Sequence, residues 1–221
     1  MQPVGAVHAR IVAGVGDRTV SPSPREGRPM ASIALFHSVL GVRPGVLDAA
    51  ERLRAAGHEV LVVDQYGGRV FDDYEEAGAY VDRVGFPALM QAAVDAVADL
   101  PDGFVVAGFS NGAGMAEYVA TQRSCRGALL VAGALPLAVL GVDAWPAGVP
   151  VQVHHSEGDP KHAPEWLDAF AADVRRAPAP VEVFGYPGEG HLFTDPSLPA
   201  EYDGQATELF WSRALAFVGR T

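Results

Sequence analysis

Cysteine is almost missing from this 221-residue chain. Cys125 is the single one, so neither an intramolecular disulfide nor a thiolate metal cluster can form, and the expected location is the cytoplasm. Positive charge is also scarce: Lys and Arg total 16 against 27 Asp and Glu, for a formal charge of −11. That sign disfavours phosphate backbones and anionic lipid heads, so neither nucleic acid nor a membrane is an expected partner. Long apolar runs are lacking. The longest, residues 127–142, is broken by Pro136 and too short to span a bilayer. The first thirty residues hold no apolar core of the kind that marks a signal peptide, so neither export nor anchoring is expected. What remains is 49% hydrophobic and 19% charged, a composition suited to one globular domain, monomeric or a small homo-oligomer.

Residues 1–29, with Gly14, Gly16, Gly27 and the Ser21-Pro22-Ser23-Pro24 tract, read as an N-terminal extension outside the fold, with translation expected to start at Met30. Residues 30–221 read as a single domain of βα units around a mainly parallel sheet. Strands are expected at 31–36, 58–63, 104–109, 128–134, 149–155 and 181–186, and helices at 45–56, 86–100, 112–122, around 166–174, and at 204–218. Gly57 stands where a left-handed helix cap is wanted. The 104–109 run has no charge, as a strand covered on both faces should have none. Asp72, Asp73, Glu75 and Glu76 read as a solvated acidic loop.

The strongest chemical signal is Gly108-Phe109-Ser110-Asn111-Gly112, because it falls where the expected central strand meets a helix. A nucleophile on so tight a turn crowds its neighbours, and glycines two before and two after relieve the crowding. The turn lifts the Ser110 hydroxyl above the sheet edge and aims the Asn111 amide at an oxyanion. A serine needs a base, and the base needs a carboxylate. Asp159 in Ser156-Glu157-Gly158-Asp159-Pro160 is the expected acid, with Glu157 its rival, and His191 in Pro187-Gly188-Glu189-Gly190-His191 the expected base. Each follows a late strand. The loop after the first strand, His37-Ser38-Val39-Leu40-Gly41, should supply the second oxyanion amide at Val39. His154, His155, Asp159 and His162 are close in sequence, yet their spacing matches no metal motif; neither a metal nor any other cofactor is expected. Gly14-Val15-Gly16 lacks the rest of a dinucleotide loop.

With Ser110, Asp159 and His191 in this order, the chain resembles the dienelactone hydrolase family of α/β-hydrolases from about residue 31 to 218. The likeness also includes Asp64-Gln65-Tyr66-Gly67-Gly68-Arg69 and Gly190-His191-Leu192-Phe193. It implies a compact α/β-hydrolase fold without a large cap domain, acting on small esters or lactones through nucleophile, His and Asp. Three departures concern the substrate. Dienelactone-cleaving members use cysteine where Ser110 stands and carry glutamate where Ser38 appears, and the arginine that follows their catalytic histidine is absent after His191.

The expectation is a serine hydrolase for a small-molecule ester, thioester or lactone, with His37, Ser38, Tyr66, Arg69 and Phe193 as substrate-binding residues. Tyr66, Phe71, Phe86, Trp145, Leu192 and Phe193 are the expected apolar walls. The alternative from a different class is a catalytically silent hydrolase scaffold that binds a small molecule or a partner.

Overall fold

Every residue of the charge-free run Phe104–Phe109 is buried, which places that strand inside the sheet rather than at an edge. The computed structural model describes residues 10–12 and 30–221. Its strands are β1 (Arg10–Val12), β2 (Ser32–Phe36), β3 (Glu59–Asp64), β4 (Phe104–Phe109), β5 (Cys125–Val131), β6 (Val151–Ser156) and β7 (Val181–Tyr186). The helices are α1 (Pro44–Ala55), α2 (Tyr74–Val84), α3 (Phe86–Ala96), α4 (Asn111–Gln122), α5 (Pro164–Arg176) and α6 (Gly204–Val218). One sheet runs in the order β1-β3-β2-β4-β5-β6-β7. Its pairs from β3 to β7 are parallel, and β1 joins β3 antiparallel. This is the α/β-hydrolase fold, as expected.

Four elements differ from the sequence reading by more than two residues, the first being α3, which ends at Ala96 and not at residue 100. Strand β1 lies in the segment expected to stand outside the fold, and three residues are too few to show an alternating pattern. The rest of that segment, Gly14-Val15-Gly16 included, lies outside the described residues. The acidic cluster is a helix start and not a loop. The Asp73 carboxylate accepts the Glu76 N–H at 2.8 Å, and Glu75 and Glu76 occupy the first turn of α2, where the helix dipole favours negative charge. Strand β5 begins at Cys125 and ends at Val131, because Ala132 turns the chain out of the sheet at φ 57°. Cys125 itself is buried, and burial pushes its thiol up to about 12 despite Arg123 nearby. Gly57 has φ 95° just beyond α1, as its expected capping place requires.

His154 and His155 point to opposite faces of β6, so the histidine cluster is split. His154 is fully buried among Phe184, Tyr186 and Phe210. Its Nε2 donates to Gln152 Oε1 at 2.8 Å, which leaves Nδ1 to accept from the Tyr186 hydroxyl at 2.8 Å. Burial, with help from Arg213 and His155, lowers its pKa to about 3. An unfolded histidine titrates near 6.5, so this residue's contribution to stability is full above that pH and is lost as pH falls toward 3. Urea titrations from pH 7 to pH 4 should therefore show a steeper loss of stability in the native chain than in His154→Gln.

Glycines at the centre of the sheet are a steric requirement. A Cβ at Gly108 would lie 2.0 Å from the Gly112 carbonyl oxygen, and one at Gly112 only 2.4 Å from that of His37. Helix α4 thus rests directly on the ends of β2 and β4. Gly78, inside α2, meets nothing within 4 Å. Gly112→Ala should cost more than about 3 kcal/mol or prevent folding, whereas Gly78→Ala should stabilise by about 0.5–1 kcal/mol in chemical denaturation.

Candidate active site

Ser110 is held at φ 52° and ψ −116°, a backbone conformation that L residues rarely adopt, between the last residue of β4 and the first turn of α4. Its N–H donates to the Val131 carbonyl at 2.7 Å, and its carbonyl accepts from Ala113 N–H at 2.8 Å. The side chain is thereby directed off the carboxyl edge of the sheet.

The loops after β6 and β7 bring the expected acid and base to the same place. His191 Nε2 lies 2.7 Å from Ser110 Oγ, and His191 Nδ1 lies 2.6 Å from Asp159 Oδ2. A carboxylate can only accept, so Nδ1 carries the proton and the bare Nε2 accepts from the serine hydroxyl. Burial pushes the Asp159 carboxyl up, but the hydrogen bond and charge of His191, with the Lys161 N–H at 2.8 Å on Oδ1, hold it below its ordinary value. Glu157, the rival acid, is exposed and approaches Gly185 instead.

The histidine loop is held from three sides by residues that the sequence reading passed over. Ser156 Oγ donates to the Gly190 carbonyl at 2.7 Å. Glu201 Oε2 accepts the Leu192 N–H at 2.6 Å, and the same carboxylate accepts the Tyr74 hydroxyl at 2.9 and 3.1 Å. Gly190 lies so close that a Cβ would fall 1.9 Å from the Glu201 carbonyl oxygen. The Tyr74 ring stands edge-on to His191, 6.0 Å between centroids, with Lys161 Nζ 4.3 Å from its own centroid. Burial and then Glu201 push the Tyr74 phenol upward, so it stays a donor. Tyr74 could have been noticed only by reading the acidic cluster as the start of a helix.

At the oxyanion side, Asn111 opens α4, whose first N–H groups have no partner within the helix. Val39 is partly buried in the turn after β2, against which Gly112 packs.

The substrate-binding expectations stand differently. A cavity of about 370 Å³ opens beside Ser110 and His191, between the β5–β6 connection and the start of α5. Leu135, Val139, His155, Lys161, His162 and Trp166 are among its walls, and Phe86 alone of the expected apolar walls lines it. His37, Ser38, Tyr66, Arg69 and Phe193 do not line it. His37 is fully buried, its Nδ1 donating to the Ser38 carbonyl at 2.6 Å and its Nε2 accepting the Gln65 N–H at 3.1 Å. Ser38 Oγ accepts the Leu40 N–H at 3.2 Å. Tyr66 packs on His37 and Tyr80, with ring centroids 4.5 and 4.8 Å away, and Phe193 on Tyr186 at 5.1 Å. Arg69 is exposed, its guanidinium 5.4 Å from the Tyr80 ring centroid. In the turns after β2 and β3, His37, Ser38 and Tyr66 thus point into the core, whereas Arg69 lies at the surface.

This sheet order, with the strained turn at Ser110 after its central strand and the Asp159 and His191 loops after later strands, is that of the α/β-hydrolase fold. A family model described as the Dienelactone hydrolase family matches residues 18–221, and the chain belongs to that family. Membership makes it a hydrolase of ester-type substrates. No curated protein matched the chain. Similar solved structures include m3DLH, at 24% identity over 89% of this chain and 90% of that one, with a TM-score of 0.69. A dienelactone hydrolase-like promiscuous phosphotriesterase from metagenomic libraries is 23% identical, over 88% of each chain, with a TM-score of 0.70. A Bacillus cereus carboxylesterase is 17% identical over 84% of this chain and 89% of that one, with a TM-score of 0.54. At these identities the likeness is one of fold.

If Glu201 holds the histidine loop, Glu201→Ala should slow modification of Ser110 by a fluorophosphonate roughly 10-fold to 100-fold, the cost of a misplaced base. Tyr74→Phe should slow it less, because Leu192 N–H keeps its acceptor. The rates would be read by quenched labelling and intact-mass spectrometry.

Proposed function

We propose that the protein is a serine hydrolase that cleaves a small ester, thioester or lactone through an acyl-enzyme on Ser110. The observation that carries this reading is the unbroken hydrogen-bonded line from Asp159 through His191 to Ser110, at 2.6 and 2.7 Å. Ser110 Oγ attacks the carbonyl carbon while its proton passes to His191 Nε2. Asp159 keeps the imidazole in the tautomer that can accept that proton, and its charge stabilises the imidazolium. The amides of Asn111 and Val39 receive the negative oxygen of the tetrahedral intermediate, and the dipole of α4 adds to their effect. Collapse expels the leaving group, which takes the proton from His191 and leaves an ester on Ser110. A water molecule then gives its proton to His191 and attacks the acyl carbon. The acid product departs and the serine hydroxyl is restored.

The active compartment in this reading is the cytoplasm, where the lone thiol needs no oxidised partner. Among the described residues, no helix is long and apolar enough to cross a membrane.

Incubation with a fluorophosphonate, followed by peptide mapping, should place the adduct on Ser110. Ser110→Ala should abolish labelling, and His191→Ala and Asp159→Asn should each reduce turnover of a p-nitrophenyl ester by about 10³-fold or more. A folded sample that takes no label, or a Ser110→Ala variant that keeps its esterase activity, would overturn the mechanism.

A further inference from the structure

The cavity beside Ser110 has one uneven property: its walls are mostly apolar, and Lys161 is the one Lys, Arg, Asp or Glu among its lining residues. Among the described residues, no carboxylate and no arginine lines it. Lys161 is the one lysine there, and its ammonium faces the Tyr74 ring at 4.3 Å. His155 and His162 stack at 4.2 Å with nearly parallel rings, and His155 Nδ1 bonds to the Ser156 carbonyl at 3.2 Å. Burial and the neighbouring His155 lower the His162 pKa, which disfavours its charged form. A charged substituent would lose its water here without finding a bidentate cation.

The apolar character continues to the surface. Val139 is 49% exposed and Trp166 is 43% exposed, and both line this cavity. Exposed large apolar side chains are ordinary when scattered, but two at one cavity mouth form a hydrophobic entrance. Leu135 forms the wall further in, with its Cδ1 only 2.7 Å from where a Cβ on Gly114 would stand, so α4 is stripped of a side chain to admit it.

The position of Leu135 is set by a buried acid that the mechanism does not use. Glu117 on α4 is fully buried, and both carboxyl oxygens lie 3.1 Å from the Leu135 N–H. Burial pushes its pKa well above the ordinary value, and the Leu135 N–H only partly opposes this. A buried carboxyl group is costly to place, and among the described residues its hydrogen bonds go to the cavity wall at Leu135.

We propose that this cavity selects esters bearing an uncharged, apolar alkyl or aryl chain, with Leu135, Val139 and Trp166 as specificity-determining residues and Glu117 as the positioning residue for that wall. The proposal rests on the serine-hydrolase reading and names its substrate class.

The test is a pair of ester series on the purified full chain. One varies the acyl group of p-nitrophenyl esters from acetate to octanoate, and the other varies the alcohol of acetate esters over the same lengths. Hydrolysis should rise at least 10-fold in kcat/KM along one series, and which series rises tells whether the chain lies on the acyl or the leaving-group side. A p-nitrophenyl hemiester of a dicarboxylic acid, matched in length to the best acyl ester, should be at least 10-fold slower than that ester. Leu135→Ala and Trp166→Ala should each reduce the long-chain-to-short-chain ratio in the rising series at least fivefold. Glu117→Ala should do the same, and Glu117→Gln, which still accepts the Leu135 N–H, should restore the ratio. If Glu117→Ala does not fold, the Leu135 and Trp166 variants carry the test through the same ratio. Flat series, or a faster hemiester, in protein that still labels on Ser110 would overturn this inference alone. Failure of Ser110 to label would overturn it together with the mechanism beneath it.

Discussion

The strained backbone at Ser110 is the constraint around which the molecule is arranged. A non-glycine residue at φ 52° and ψ −116° persists only where its surroundings leave no alternative, and here they do so on both sides. Its N–H and carbonyl are tied to Val131 and Ala113, and the glycines flanking it let α4 lie directly against the ends of β2 and β4. Any relaxation of the turn would have to push a helix off the sheet. The core strands and α4 thus do more than bury apolar surface: they maintain the direction of one hydroxyl.

Asp159 and His191 are held by a different means. Their loops carry no comparable strain and depend on hydrogen bonds to backbone groups: Ser156 on Gly190, Glu201 on Leu192, and Lys161 N–H on Asp159. Polar contacts of this kind act in concert when buried, since each fixes the geometry that the next one needs. Tyr74 extends the network to α2, so a helix distant in sequence from all three residues bears on the orientation of His191.

Much of this was legible in the sequence, for identifiable reasons. A charge-free strand followed by Gly-x-Ser-x-Gly encodes its own junction, because only small residues fit there, and the order Ser110, Asp159, His191 follows from strand ends that β-branched runs mark clearly. The structure brings those three together. The cavity was not legible. Its walls come from the β5–β6 connection and from α5, and Leu135, Val139 and Trp166 look in sequence like any apolar residues beside a turn. The turns after β2 and β3 drew attention through aromatic and polar residues such as His37 and Tyr66, yet these pack inward. Neither the side-chain direction in an irregular loop nor the long-range acceptor role of Glu117 leaves a periodic trace.

The burial of Cys125 has a consequence for how the molecule meets oxidants. The turn after β4 presents a hydroxyl, and the chain's only sulfhydryl is buried at the start of β5, its pKa pushed up to about 12. Its thiolate is therefore scarce, and thiol–disulfide exchange needs a thiolate. Thiol–disulfide exchange is therefore disfavoured at Cys125.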